Sequence, residues 1–290
     1  MSTTLISIFA GLGGMFGWGI SDFFANISSD KIGHSKTVFW SQLAGMVFLG
    51  ILFIFVDVPE ITLSARTLIM FGLSGTFYTL GYIYFYKAFE IGNVSIVSAS
   101  INLNVVVAIL LALIFKGQQL TGYQPLAVIL ILFGVTMVSL KLKDLTNSKV
   151  SLSAGIKETI IASVVFGAFW NLSEILSEET GWLPTSFWVK VIALLLLLSW
   201  SFVKRETLNY ERKLLNFFPI VALVGILEAA AVASVNFGLT VGDVILVSPI
   251  SSALSIVTIT LAVIFLKEKL TKTQVAGVCI TMAGIILSAF

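Results

Sequence analysis

Four ionisable side chains lie in stretches of this sequence too apolar to surround them with water. Glu228 stands in Gly225-Ile226-Leu227-Glu228-Ala229-Ala230-Ala231, Asp22 and Glu174 come late in long apolar runs, and Lys190 interrupts another. A charged group at the centre of a lipid-spanning helix costs at least ~2.5–3.5 kcal/mol, so such groups face protein or water and by default mark a pathway. A carboxyl in that position can carry a proton or hold a solute. Asp22, Glu174 and Glu228 are therefore the candidates for coupling or recognition. The plainer alternatives are a neutral Glu228 hydrogen-bonded to a neighbouring helix, and Asp22 or Glu174 bending toward the headgroups. Lys190 and Glu174 fall at one depth, which suggests an ion pair between them or an interfacial lysine ahead of direct substrate contact.

Around these charges the apolar runs carry neutral polar and aromatic residues. Tyr78, Tyr82 and Tyr86 are spaced by four and share one helix face. Phenols on such a face can hold an organic solute by stacking, hydrogen bonds or attraction between a cation and the ring. Trp18, Tyr82, Asn102, Trp170, Asn236 and Ser252 are the candidates for the wall of a substrate cavity. The competing uses are hydrogen bonds between helices, worth ~0.6 kcal/mol on average, and an aromatic belt at the membrane surface, which would claim Tyr86 and Trp182 first.

The elements that must position these residues follow from composition. The chain is 58% hydrophobic and only 11% charged, with a mean hydropathy of +1.04. Soluble domains carry roughly 25% charged residues, so this chain cannot cover its surface with polar groups. The runs are long enough to cross ~30 Å of hydrocarbon and lack the alternation of strands, which predicts helices and not a barrel. Ten spans are predicted, near 4–26, 36–56, 66–89, 93–115 and 122–140, then 154–177, 184–203, 216–241, 243–266 and 273–290. Pro249, inside the ninth, should disturb its first turns.

Residues 84–140 recur at 234–290 with a constant offset of 150, and 15 of the 57 paired positions are identical, enough to identify a duplication. Asn102 and Ser252 are offset mates, as are Gly134 and Gly284; the strict mate of Asp22 is Leu172. The predicted organisation is a first five-helix repeat over 1–140, a connecting loop over 141–153 and a second repeat over 154–290. Five is odd, so the second repeat must enter the membrane from the other side. The fold class is thus an all-α integral membrane protein, ten transmembrane helices arranged as two inverted five-helix repeats, the plan of many secondary carriers. Lysine and arginine fix the orientation. Loops 1–2, 3–4, 5–6, 7–8 and 9–10 hold nearly all of them, and the opposite side holds only Arg66 and Lys116. The positive-inside rule then places both termini outside the cytoplasm.

The tail of the chain, with Ser248-Pro249, Leu266-Lys267-Glu268-Lys269-Leu270-Thr271, Gly277 and Gly284, resembles the closing signature of EamA-type transporters of the drug/metabolite transporter superfamily. Phe115-Lys116-Gly117-Gln118-Gln119-Leu120-Thr121 is a faded copy in the first half, and Phe16-Gly17-Trp18-Gly19 through Asp22-Phe23 fits such a first helix. The resemblance implies a multi-pass carrier of the cytoplasmic membrane with a central cavity between its halves. It further implies export of amino acids or other small metabolites, driven by protons or exchange. Many members of the family keep both termini in the cytoplasm; the lysine distribution here argues the reverse.

Other chemistry finds little support. The Gly-x-Gly fragments of the first helix have no strand before them, so they read as close helix contacts such as Gly13-x-x-x-Gly17 and not as a dinucleotide fingerprint. His34 is the only histidine and Cys279 the only cysteine, which leaves no metal cluster and no intrachain disulfide. No Gly-x-x-x-x-Gly-Lys-Ser/Thr loop occurs, and no nucleophile stands near a base. The expectation is a carrier and not an enzyme, with no cofactor and no nucleic-acid partner. Its partners are a small-molecule substrate and the lipid bilayer, and the chain is expected as a monomer or homodimer. A multidrug or organic-cation exporter of the same fold is the close rival, favoured by the acidic and aromatic residues. A channel-like facilitator is a more distant one.

Overall fold

A computed structural model describes residues 2–58, 64–91, 97, 100–139, 154–205, 208, 216–267 and 270–290. These residues form helices joined by short turns: α1 (Thr3–Ile32), α2 (His34–Leu52), α3 (Ala65–Ile91), α4 (Leu103–Leu111), α5 (Gln124–Ser139), α6 (Ile156–Thr180), α7 (Trp182–Lys204), α8 (Phe218–Leu239), α9 (Val244–Ser251), α10 (Leu254–Leu266) and α11 (Lys272–Leu287). Six stretches are long and apolar enough to cross a membrane, one of them running from Val244 to Phe265 through α9 and α10. Four further apolar helices among the described residues, including Gln124–Ser139 and Lys272–Leu287, are shorter. Large apolar side chains such as Phe9, Ile54, Phe115, Phe202 and Ile264 are exposed on the outer surface. A patch of that kind has no place in water; here it meets lipid. The protein is a multi-pass, all-helical membrane protein. The connecting loop expected over 141–153 falls outside the described residues.

Two expected spans are interrupted, and at corresponding places. Pro249 lies within α9, but the break comes at Ser252–Ala253, just beyond it and not in the first turns of the span. In the fourth span the chain turns at Ile101–Asn102 before α4 begins. Asn102 and Ser252, the offset mates, thus both stand at breaks. Short polar side chains cap the loosened backbone there: Asn104 Nδ2 donates to the Ile101 carbonyl (2.7 Å) and Ser252 Oγ to the Pro249 carbonyl (2.6 Å). The duplication also repeats a helix start. Thr121 N–H donates to Gln124 Oε1 (3.0 Å) ahead of α5, and Thr271 N–H to Gln274 Oε1 (3.0 Å) ahead of α11, the reciprocal half of a capping box.

Packing between the two halves is reciprocal. α1 packs on α8 and α6 on α3; α2 packs on α8 and α7 on α3; α9 and α10 pack on α1 and α4 on α6. In each pair the second contact is the first with every helix replaced by its mate 150 residues away. The α5–α11 contact is its own mate and shows the relation residue by residue. A Cβ on Gly134 would meet Thr281 and Gly277, while one on Gly284 would meet Ile131 and Ala127; these four partners are themselves two offset pairs.

Close approach at these crossings depends on glycine. On α8 a Cβ at Gly225 would lie 1.9 Å from the Ser41 carbonyl oxygen on α2. Backbone cannot yield as a flexible side chain can, and in lipid, close van der Waals packing is what holds helices together. Gly225→Ala should therefore destabilise the purified protein by about 1–3 kcal/mol, read as a lowered thermal midpoint in detergent. Gly72→Ala, where a Cβ would meet nothing within 4 Å, should leave the midpoint unchanged.

Candidate functional site

Four helices converge on Glu228 at the middle of α8. Its Oε2 pairs with Lys190 Nζ from α7, and its Oε1 accepts the Tyr78 hydroxyl from α3 at 2.7 Å. Lys190 also donates to Gln42 Oε1 from α2 (2.8 Å), and Tyr78 Oη lies 3.3 Å from the same atom; its single proton serves the shorter contact. The ammonium stands 5.7 Å from the centroid of the Tyr78 ring, within reach of its negative face. Lys190 is 0% exposed, and Gln42, Tyr78 and Glu228 are buried with it. Tyr78 and Glu228 are separated in sequence by 150, so the two repeats touch here through offset mates.

The ion pair corrects one expectation: Lys190 meets Glu228 and not Glu174. Lys190 is two turns into α7 on the side facing α2, α3 and α8, whereas Glu174 lies near the end of α6. There Glu174, also 0% exposed, is held by a different set. Lys116 pairs with its Oε2, and Gln118 Nε2 (2.7 Å) and the Val244 N–H (3.0 Å) donate to its Oε1. Val244 is the first residue of α9, whose N-terminal amides are unsatisfied within the helix and favour a negative charge. A π-turn over Ala112–Lys116 followed by Gly117 at φ 66°, a left-handed conformation easiest for glycine, turns the chain so that Lys116 and Gln118 both reach the carboxylate.

Asp22 is the third carboxylate. It follows Ser21, whose hydroxyl donates to the Val224 carbonyl (3.0 Å) and fixes α1 against α8 one turn from Glu228. Asp22 itself is exposed. Among the described residues no cation pairs with it. The Glu174 cluster lies at the end of the bundle where α1 begins, since Ser7 there abuts Gly242; Asp22 lies toward the other end.

Aromatic rings join these groups. Trp18 on α1 meets Trp170 on α6 edge-on at 5.5 Å, Trp170 meets Phe169 at 4.6 Å, and Phe169 meets Tyr78 at 5.2 Å. Tyr82 follows Tyr78 at 4.8 Å and Phe166 closes the row at 5.3 Å. The row thus brings together Trp18, Trp170 and Tyr82 of the expected wall, one helical turn from Asp22 at one end and in contact with Glu228 through Tyr78 in its middle. Asn236 stands elsewhere: it is buried where α6, α7 and α8 meet, accepting from Ser173 (2.8 Å) and donating to Ser186 (2.9 Å). Asn102 is half-buried and Ser252 buried at the two helix breaks. The side chain of Tyr86 lies outside the described residues. Gln42 is not among the expected site residues, and nothing around it in sequence marks it. Tyr78 is expected only as part of the phenol face, although it is the offset mate of Glu228.

Removing one partner of a buried ion pair costs about 3–5 kcal/mol, whereas replacing both by apolar side chains is often neutral or stabilising. The Lys190–Glu228 pair is therefore poorly explained as a stabilising device. Its location fits the rule that ionisable groups inside the membrane mark a solute or ion path.

No curated protein sequence matches the chain. A solved crystal structure, described only as that of a protein, superposes with a TM-score of 0.76 at 12% identity, over 97% of this chain and 95% of that one; at that identity the likeness concerns the fold. The description of the EamA-like transporter family matches twice, over residues 5–140 and 153–290, once for each repeat. A chain built as two such units around a buried ion pair belongs to the EamA-like transporter family, within the drug/metabolite transporter superfamily.

Proposed function

We propose that this protein is a secondary active carrier that moves a small organic metabolite across the cytoplasmic membrane by alternating access. The observation that carries the reading is the contact of Tyr78 with its own offset mate Glu228. Residues at a two-fold axis meet their counterparts, so this contact supports two five-helix repeats related by an axis through the site. With five spans in each repeat and a short connection between them, the repeats are oppositely inserted, and the basic loops put both termini outside the cytoplasm. Rocking of one repeat against the other then exposes the same central groups to each side in turn.

The Glu174 cluster closes the non-cytoplasmic end in this conformation, while Asp22 remains open toward the cytoplasmic end. A small organic metabolite entering from the cytoplasm would meet Asp22 and Trp18 first, then the aromatic row and Glu228, and leave by the other end once the Glu174 cluster opens. Export is the direction this arrangement suits. Glu228, with its hydrogen-bonding neighbours, is the group suited to couple transport to a proton or to a second solute, and neither ATP nor a cofactor enters the cycle.

Two measurements test this reading. In an untargeted metabolite comparison, cells expressing the protein should accumulate at least one small solute outside relative to cells expressing Glu228→Gln. In proteoliposomes, flux of that solute should respond to an imposed pH gradient with the native protein and lose the response in Glu228→Gln; an unchanged response would remove Glu228 from coupling. For the closed end, Glu174→Gln in a Cys279→Ser background should raise the labelling rate of Ala112→Cys by an impermeant maleimide at least tenfold. Ala112 is 0% exposed beside that cluster, so unchanged labelling would mean that Glu174 does not hold the end shut.

A further inference from the structure

The interior of the bundle already holds an ammonium group, supplied by the protein itself. Lys190 Nζ occupies a pocket of acceptors: Glu228 Oε2, Gln42 Oε1 at 2.8 Å and the face of the Tyr78 ring at 5.7 Å. These are the partners that a free primary amine would need, namely a carboxylate, a carbonyl oxygen and an aromatic face. No sequence constraint placed a lysine there by symmetry, because its offset mate is Trp40.

Charge decides what else the interior can take. Asp22 and Glu228 are two carboxylates on neighbouring helices, and among the described residues an ammonium, that of Lys190, answers Glu228 alone. An anion would face both carboxylates, and the carboxylate of a zwitterion would find Lys190 already engaged by Glu228, Gln42 and Tyr78. A monocation completes the balance: two carboxylates, Lys190 and one more ammonium. Asp22, exposed and without a cation among the described residues, is where that charge is missing. Trp18 is one turn before Asp22 and begins the row of rings that ends beyond Tyr78, which gives an apolar or aromatic body somewhere to lie.

We propose that Lys190 is a tethered stand-in for the substrate: Glu228, Gln42 and Tyr78 form an ammonium-binding site, and the ligand that enters at Asp22 to share or take that site is a small organic monocation with an ammonium head group. In the empty carrier Lys190 neutralises Glu228, so that no lone carboxylate is left deep in the bundle. When the ligand binds, its ammonium is received by Asp22, and the two ammonium groups divide the two carboxylates between them. The inference rests on the carrier reading given above and names its substrate class, an amine in preference to a zwitterionic amino acid.

Thermal unfolding of the purified full-length protein at neutral pH, followed by the fluorescence of its six tryptophans, tests the proposal with defined probes. Benzylammonium and butylammonium should raise the midpoint in a dose-dependent way. L-phenylalanine, phenylacetate and benzyl alcohol at the same concentrations should not. Asp22→Asn, at an exposed position, should keep the native midpoint without ligand and weaken the benzylammonium response at least tenfold. Lys190→Ala should lower the midpoint, and ethylammonium, but not 1-propanol at the same concentration, should restore most of the loss by filling the vacated site. A native protein stabilised equally by phenylacetate or phenylalanine, or by neither amine, would overturn the proposal; so would an undiminished benzylammonium response in Asp22→Asn. The carrier reading is judged separately, by flux of whatever solute the metabolite comparison finds, and survives any of these results.

Discussion

Lipid supplies no partner for a charge, and Glu228 at the middle of a spanning helix must find all of its partners in protein. It finds them on three other helices: Lys190 on α7, Tyr78 on α3 and, through both of these, Gln42 on α2. That requirement accounts for much of the central architecture. α2 can come close enough only because Gly225, one turn before Glu228, has no side chain to hold it off. α3 presents Tyr78 because α6 backs it with Phe169. The helices that carry the charge are thus the helices that pack most intimately, and loosening any crossing would expose an ion pair to an environment that cannot solvate it.

Duplication gives this arrangement a second property. Where two copies of one sequence meet at an axis, identical residues face each other, and two carboxylates there would repel at short range. Here each charged member named for the site has an uncharged mate: Tyr78 for Glu228, Trp40 for Lys190, Leu172 for Asp22 and Phe24 for Glu174. Tyr78 turns a like-charge conflict into a hydrogen bond. Fusion of the repeats in one chain is what permits the division, with the charges of the central pair kept in one half and their aromatic and hydrogen-bonding support in the other. It also permits the two ends to differ, with Glu174 held by Lys116 and Gln118 at one and Asp22 exposed at the other.

Much of this was legible in the sequence because membranes make sequence patterns strict. The spans stand out by length and hydropathy, the duplication by its constant offset, and Glu228 by being ionisable where ionisable groups are costly. Partner choice was not legible. Glu174 and Lys190 share a depth, but depth leaves the rotation of each helix about its axis undetermined, and rotation turns Lys190 toward Glu228 and Glu174 toward the α4–α5 connection. Gln42 is a single polar residue in an apolar run, and only the approach of α7 makes it an acceptor. The break in the ninth span followed its proline by three residues because Pro249 is compatible with the turn that contains it, while the backbone beyond is where Ser252 can cap the loosened carbonyl.

The central claim is that mate positions of the two repeats lie on opposite sides of the membrane around one shared site. Gln119, in the connection between α4 and α5, and Lys272, at the start of α11, occupy corresponding loops of the two repeats, and both are exposed. With Cys279 replaced by serine, single cysteines at these positions can be probed by an impermeant maleimide on intact cells. The account predicts that Gln119→Cys reacts from outside and Lys272→Cys only after the membrane is opened. Reaction of both from the same side would contradict it.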